Sequence, residues 1–177
     1  MSKQIFTKDD YNSPDGMLTS VWGPPMWHSL HTISFNYPVK PSKEDKENYY
    51  NYFKSLRFVL PCKYCRDNLV NNYKRLKFGK NKFKDRNTLS RFVYDLHEEV
   101  NKMLGKKSGL TYSAVRDRYE HFRARCLNKP DEVKPKIEKG CTDSLYGLKS
   151  KCVLNIVPKG RCKESFKMDK DCRLKRK

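Results

Sequence analysis

Between residues 24 and 125, apolar side chains recur at offsets of three and four, in five runs closed by proline, glycine or polar stretches. That period commits the span to amphipathic helices, because a half-buried strand alternates at every second residue. Gly23-Pro24-Pro25 suits the start of the first helix, where proline lacks only an N–H that would go unpaired. Trp27, Leu30, His31 and Ser34 then share one face. Ser42 is placed to cap a second helix with Tyr49, Tyr52, Phe53, Leu56 and Leu60 inward, and Pro61 ends it. The third helix starts at a cysteine pair and carries Cys65, Leu69, Tyr73 and Leu76 on its face, before a Lys/Asn/Gly-rich loop over 78–87. Asn87 or Thr88 caps a fourth helix, with Leu89, Phe92, Val93, Leu96, Val100 and Leu104 inward, and Gly105 closes it. A fifth, from about Ser113 to Arg125, turns Val115, Tyr119 and Phe122 to one side. The expected fold is all-α: a four-helix bundle plus a fifth short helix.

Composition changes near Asn128. Residues 128–177 open with Asn128-Lys129-Pro130-Asp131, hold Pro130, Pro135 and Pro158, and show no sustained apolar period. They read as a basic, largely irregular tail with one short strand at Cys152–Val157. The expected division is an extension over 1–17, a helical domain over 18–127 and the tail over 128–177. Both larger parts are basic, +11 for residues 1–127 and +8 for the tail, which together give +19. Such an excess bears on partners and solubility rather than on fold. Twenty aromatic rings from Tyr and Phe, with two Trp, suffice for a core and exclude disorder throughout. No run approaches the roughly 20 apolar residues of a membrane span, so no membrane is expected among the partners. Met1 to Asp10 has no apolar h-region, so no ordinary secretory signal is expected. Seven cysteines without an export signal point to redox chemistry or metal ligation.

Three local constellations carry chemistry. Pro61-Cys62-Lys63-Tyr64-Cys65 sets two cysteines three apart at a helix start, where exposed N–H groups and the helix dipole favour a thiolate. Lys63 and Arg66 add positive charge. The same pair is also half of a zinc site, although no second Cys-x-x-Cys and no His-x(3–5)-His completes one. Trp22-Gly23-Pro24-Pro25-Met26-Trp27-His28-Ser29-Leu30-His31 puts an indole and an imidazole four apart, which makes either an aromatic wall for a planar ligand or ordinary core. His97 and Asn101, at i and i+4 with Lys106 beyond, are either nucleotide contacts or the solvated edge of a helix.

Together and in order, these blocks resemble the Erv/ALR family of FAD-linked sulfhydryl oxidases. WGPPMWHSLH (22–31) is similar to its W-G-x-x-x-W-x-x-L-H block, PCKYC (61–65) to its P-C-x-x-C centre, and HEEVNKMLGK (97–106) to its H-N-x-V-N-x-x-L-G-K block. Arg118-Tyr119 is a weaker fourth match, and the likeness covers roughly residues 18–126. The abbreviated loop and Lys106-Lys107, where cellular members usually have Lys-Pro, look closer to members from large DNA viruses.

The resemblance implies a five-helix domain that holds FAD and pairs as a homodimer. It implies that Trp27 and His31 line the flavin and adenine pocket, with Gly23 permitting close approach and Tyr37 nearby. His97 and Asn101 would contact the nucleotide, Lys106 its phosphates and Tyr119 the adenine side. Cys62 and Cys65 would form the active-site disulfide: Cys62 meets the substrate thiolate, and Cys65, against the flavin, leaves as a thiolate stabilised by its helix terminus. Electrons would pass from protein thiols, directly or through a thioredoxin-like carrier, to FAD and then to O2, giving H2O2, with no metal required. Two positions depart from the pattern. Glu98 stands where the family usually has asparagine, and no cysteine pair flanks the fourth helix.

The remaining cysteines, Cys126, Cys141, Cys152, Cys162 and Cys172, are candidates for shuttle or structural disulfides, Cys126 most simply with Cys141. A likeness to viral members implies host cytoplasm and virion as the setting. The competing reading is a basic, zinc-dependent nucleic-acid-binding module built on Cys62, Cys65 and tail cysteines. In the oxidase reading nucleic acid is a secondary partner, its phosphates attracted by runs such as Lys74-Arg75-Leu76-Lys77.

Overall fold

The computed structural model describes residues 6–124, 144–145, 150–158 and 167–172. Six α-helices are found there: α1 (Lys8–Asn12), α2 (Thr19–Asn36), α3 (Lys43–Val59), α4 (Lys63–Arg75), α5 (Arg86–Met103) and α6 (Tyr112–Glu120). The fold is all-α, and the only β pairing among the described residues is one isolated antiparallel bridge between Ala124 and Ser144.

α2 begins a turn earlier than its prolines suggest, and Pro24 and Pro25 lie inside it. The Leu18 carbonyl accepts from the Val21 and Trp22 N–H groups at 2.9 and 3.2 Å, so the first turn closes before the prolines withhold their donors. That turn is also held from outside. The Trp22 indole donates to the Met17 carbonyl at 3.0 Å, and the Met17 N–H donates to the Pro61 carbonyl at 2.8 Å. Gly16 and Met17 therefore pack on the helical unit, ahead of the expected boundary at residue 18.

α3 starts as the sequence predicts. Ser42 and Asp45 cap each other reciprocally, with the Asp45 N–H donating to Ser42 Oγ and the Ser42 N–H to the Asp45 carboxylate. Its inward face is narrower than expected. Phe53 and Leu56 are buried, whereas Tyr52 is 38% exposed. After α4, the stretch read as a plain loop contains a short 3-10 turn, Lys80–Phe83, whose last residue is fully buried. The Tyr37 hydroxyl donates to the Phe83 carbonyl at 2.8 Å and fastens that turn to the end of α2.

The cap of α5 is Asp85, not Asn87 or Thr88. Its carboxylate accepts from the Thr88 N–H at 2.8 Å. At the other end Gly105 takes a positive φ of 67°, and the Lys106 N–H returns to the Asn101 carbonyl at 2.8 Å. Leu104, expected inward, is 53% exposed at this terminus. α6 stops at Glu120 rather than Arg125, and the chain turns there to reach Ser144.

The main core gathers Leu30, Tyr37, Phe53, Leu56, Phe83, Leu89, Val93 and Leu96 between α2, α3, α4 and α5. A smaller one joins Phe35 of α2 to Val115 and Tyr119 of α6. The strand expected over Cys152–Val157 does not form: residues 151–158 carry no regular structure, and Val153, Leu154 and Ile156 are each more than 60% exposed. Among the described residues no partner strand covers it, and an apolar run this short is not stable unpaired.

Candidate active site

Two groups of side chains packed along α2 define the site. The first is the cysteine pair. Pro61 stops α3, and Cys62 becomes the N-cap of α4, its sulfur accepting from the Cys65 N–H at 3.2 Å. Both cysteines are half-buried thiols. Burial works against ionisation of Cys62, but hydrogen bonds from the Cys65 side chain and N–H, the Thr19 hydroxyl and the Tyr64 N–H outweigh it and hold this thiol below its ordinary value. For Cys65 burial dominates and, with the Cys62 sulfur beside it, pushes the thiol up to about 11. The helix-terminal stabilisation expected for Cys65 therefore falls on Cys62. The reason is geometric: the residue at the cap, not the one a turn inside, faces the free N–H groups.

The second group is a cluster of rings where α2, α5 and α6 meet. Trp27 stacks on His97, with centroids 4.1 Å apart and planes within 5°. His31 Nε2 lies 3.1 Å from His97 Nδ1, and the Tyr119 ring lies 5.2 Å from that of His31. His28, which the sequence reading passed over, completes the cluster, its Nδ1 3.2 Å from the Tyr119 hydroxyl. Burial lowers all three imidazoles, His31 to about 3 and His97 to about 4, so both are neutral near pH 7. His31 Nδ1 is buried with no hydrogen-bond partner among the described residues. That leaves one hydrogen bond for a water or a bound group to make.

The two groups share one line along α2. Thr19, Gly23, Trp27 and His31 stand at successive four-residue steps, a rise of about 18 Å in all. Thr19 Oγ1 is 3.9 Å from Cys65 Sγ, which ties the start of this line to the cysteines. Gly23 is buried, yet an added Cβ would touch only the Thr19 methyl at 3.6 Å. The protein's own packing does not demand glycine there.

The other sequence candidates fall on either side of this line. Lys106 is exposed, and its charge helps to keep His97 neutral. The Asn101 side-chain amide donates to the Glu98 carboxylate at 3.0 Å, so the residue that departs from the expected pattern engages its neighbour. Tyr37 stands apart. It is fully buried against Tyr49 and Phe83 with its hydroxyl spent on a backbone carbonyl, so it serves the core. Cys152 and Cys172 carry no disulfide among the described residues. Cys126, Cys141 and Cys162, and the expected Cys126–Cys141 pairing, lie outside the described residues. The sequence missed Thr19 and His28. A hydroxyl at a helix start reads as a cap, and His28 falls beside the Trp27–His31 stripe rather than on it.

A 37% identical match over 96 residues links the chain to the "Probable FAD-linked sulfhydryl oxidase R368" of Acanthamoeba polyphaga mimivirus, covering 54% of this chain and 66% of that protein. The "Putative FAD-linked sulfhydryl oxidase 347L" of Invertebrate iridescent virus 6 is 27% identical over 90 residues, which are 49% of this chain and 81% of that one. In fold, the chain resembles the yeast Erv1 core with a TM-score of 0.53 at 19% identity, over 67% of this chain and 92% of that one. A model of the Erv1/Alr family matches residues 24–120, the span that holds both the cysteine pair and the ring cluster. With more than half of its length under that match, the chain belongs to the Erv1/Alr family.

Proposed function

We propose that this chain is an FAD-dependent thiol oxidase that makes disulfide bonds in protein substrates. The observation that carries the reading is the asymmetry of the cysteine pair, one sulfur stabilised at a helix cap and the other driven toward its protonated form. In the oxidised protein, a substrate thiolate attacks Cys62 Sγ. The Cys62–Cys65 bond breaks, a substrate–Cys62 disulfide forms, and Cys65 takes up a proton because burial favours its thiol. A second substrate thiolate then attacks the substrate sulfur of this mixed disulfide. Cys62 departs as the lower-pKa thiolate, which is the faster leaving group. Two substrate thiols have become a disulfide, and the protein disulfide has become a dithiol.

The ring cluster fits FAD in its chemistry. It offers neutral imidazoles that can hydrogen-bond without burying a charge, an unpartnered His31 Nδ1, an indole face at Trp27 and a glycine between them and the cysteines. Trp27, His31, His97 and Tyr119 would hold the cofactor, with Asn101 and Lys106 on its nucleotide side. When bound, FAD would supply a two-electron acceptor for the Cys62–Cys65 dithiol, with O2 as the final acceptor and H2O2 as the product. Further parts of the proposal are a homodimer, a thioredoxin-like carrier as one class of substrate and a pair among Cys141, Cys152, Cys162 and Cys172 relaying electrons to Cys62. With relatives named from large DNA viruses, the proposed setting is host cytoplasm and virion, where the glutathione pool opposes disulfides. The basic excess would steer acidic substrates.

The zinc-dependent alternative finds less support, since the matched relatives are named FAD-linked sulfhydryl oxidases. The test is oxygen uptake with a small dithiol. Uptake matched by peroxide and abolished by Cys65→Ser supports the oxidase. Absence of uptake in a preparation carrying stoichiometric zinc refutes it.

A further inference from the structure

The cysteine pair has a neighbour that its own helix does not supply. α2 begins with Leu18 as N-cap and no side chain caps it, although Thr19, one position on, is of the type that commonly does so. The Thr19 hydroxyl is directed elsewhere. Its oxygen lies 3.9 Å from Cys65 Sγ and also acts on the Cys62 sulfur. What holds it there is the segment just before and within the first turn. The Met17 N–H is bonded to the Pro61 carbonyl at 2.8 Å, and the Trp22 indole reaches back to the Met17 carbonyl at 3.0 Å. A Cβ on Gly16 would collide with the Pro61 carbonyl oxygen and come within 3.2 Å of Cys62 Cα. Only glycine lets this strap lie against the backbone that leads into the pair.

We propose that Thr19 is a positioning residue for the Cys62–Cys65 pair, its hydroxyl held over the two sulfurs by the Gly16–Trp22 strap so that it donates a hydrogen bond to the thiolate. The inference rests on reading the pair as a thiol–disulfide centre. A hydroxyl donates strongly to a charged sulfur and only weakly to a disulfide. Thr19 thus favours the reduced, thiolate form and makes the pair a stronger oxidant of substrate thiols, as stabilising a dithiol does in general. The cations beside the pair, Lys63 and Arg66, are both on α4, and the Arg66 guanidinium is bonded to the Leu60 carbonyl. From α2 the contribution is a neutral hydroxyl, so removing it changes hydrogen bonding without changing charge.

The test is the pH dependence of Cys62 alkylation in the fully reduced full-length chain, read by mass spectrometry for wild type, Thr19→Val, Thr19→Ser and Gly16→Ala. Thr19→Val is expected to raise the midpoint by about half a pH unit or more, the effect of losing one charge-assisted bond. Thr19→Ser is expected to restore it, because the hydroxyl returns. Gly16→Ala moves it in the Val direction with the hydroxyl still present. At a fixed ratio of reduced to oxidised glutathione, the Val variant also holds more of its pair as disulfide. An unchanged midpoint in Thr19→Val, or Ser behaving as Val, overturns the role of Thr19, and a wild-type midpoint in Gly16→Ala overturns the strap. Circular dichroism checks the helices, and if Thr19→Val fails to fold, the Ser and Gly16→Ala variants still decide. Because alkylation is scored on reduced protein, it judges Thr19 whether or not the pair is redox-active. Failure of oxidised wild type to lose both thiols would instead count against the thiol-oxidase reading.

Discussion

Cys62 and Cys65 are three residues apart on one helix, yet their sulfurs face opposite demands. The cap position gives Cys62 the free N–H groups, and the turn inside gives Cys65 burial. A similar logic of burial governs the imidazoles. His31 and His97 are depressed from 6.5 to about 3 and about 4, chiefly by burial. Above pH 6.5 both are neutral in folded and unfolded chain alike. As pH falls from 6.5 toward 3 the unfolded chain takes up protons that the folded one refuses, so stability is lost across that window. The urea midpoint of the chain should therefore drop steadily on acidification below about 6.5. His31→Gln should flatten the dependence. A midpoint constant down to pH 4 in wild type would show that these rings are not buried as described. Spacing alone narrowed the cysteine pair to redox chemistry or half of a metal site, and the resemblance carried by the flanking blocks favoured the first. The direction of the asymmetry was not legible there, since it depends on which sulfur occupies the cap and on Thr19 arriving from another element.

At the scale of elements, the helical period identified all five long helices, and Ser42 announced its own cap. What escaped was whatever lacks a period. Phe83 is a single aromatic in a run of lysines and asparagines, with no apolar partner at three or four positions, yet it is fully buried under Tyr37, Phe53 and Phe78. Phe83→Ala is expected to cost about 3–5 kcal/mol, the usual range for emptying a buried aromatic site. Chemical denaturation checks it, and a loss within about 0.5 kcal/mol, the range of an inert surface change, would contradict the packing. The α5 cap shifted for a related reason. Asp85, Asn87 and Thr88 are all capping types, so residue type did not choose among them, and the helix starts at Arg86 with the Asp85 carboxylate on the Thr88 N–H. Asp85→Ala should cost about 1 kcal/mol, whereas Asn87→Ala should not weaken the helix start.

For the molecule as a whole, the bundle brings residues 46 and 66 positions apart together along α2: Thr19 and Cys65 at one end, His31 and His97 at the other. That convergence explains why three short blocks, separated by unremarkable helical spacers, carried so much of the candidate site in the sequence. It also explains what they could not carry, since the strap before α2 lies ahead of the matched span 24–120 and has no pattern of its own. The proposed relay through the tail is tested at this scale. Replacing Cys141, Cys152, Cys162 and Cys172 singly by Ser should slow oxidation of a protein substrate in at least two variants while leaving a small dithiol unaffected. Unchanged protein turnover in all four dismisses the shuttle.

The most direct measurement is the visible spectrum of the purified full-length chain during anaerobic addition of a dithiol. The protein should be yellow, lose its flavin colour as dithiol is added and regain it in air. Cys65→Ser should be equally yellow and keep its colour. A colourless protein, or a Cys65→Ser variant that bleaches at the wild-type rate, would contradict electron transfer from this cysteine pair to bound FAD.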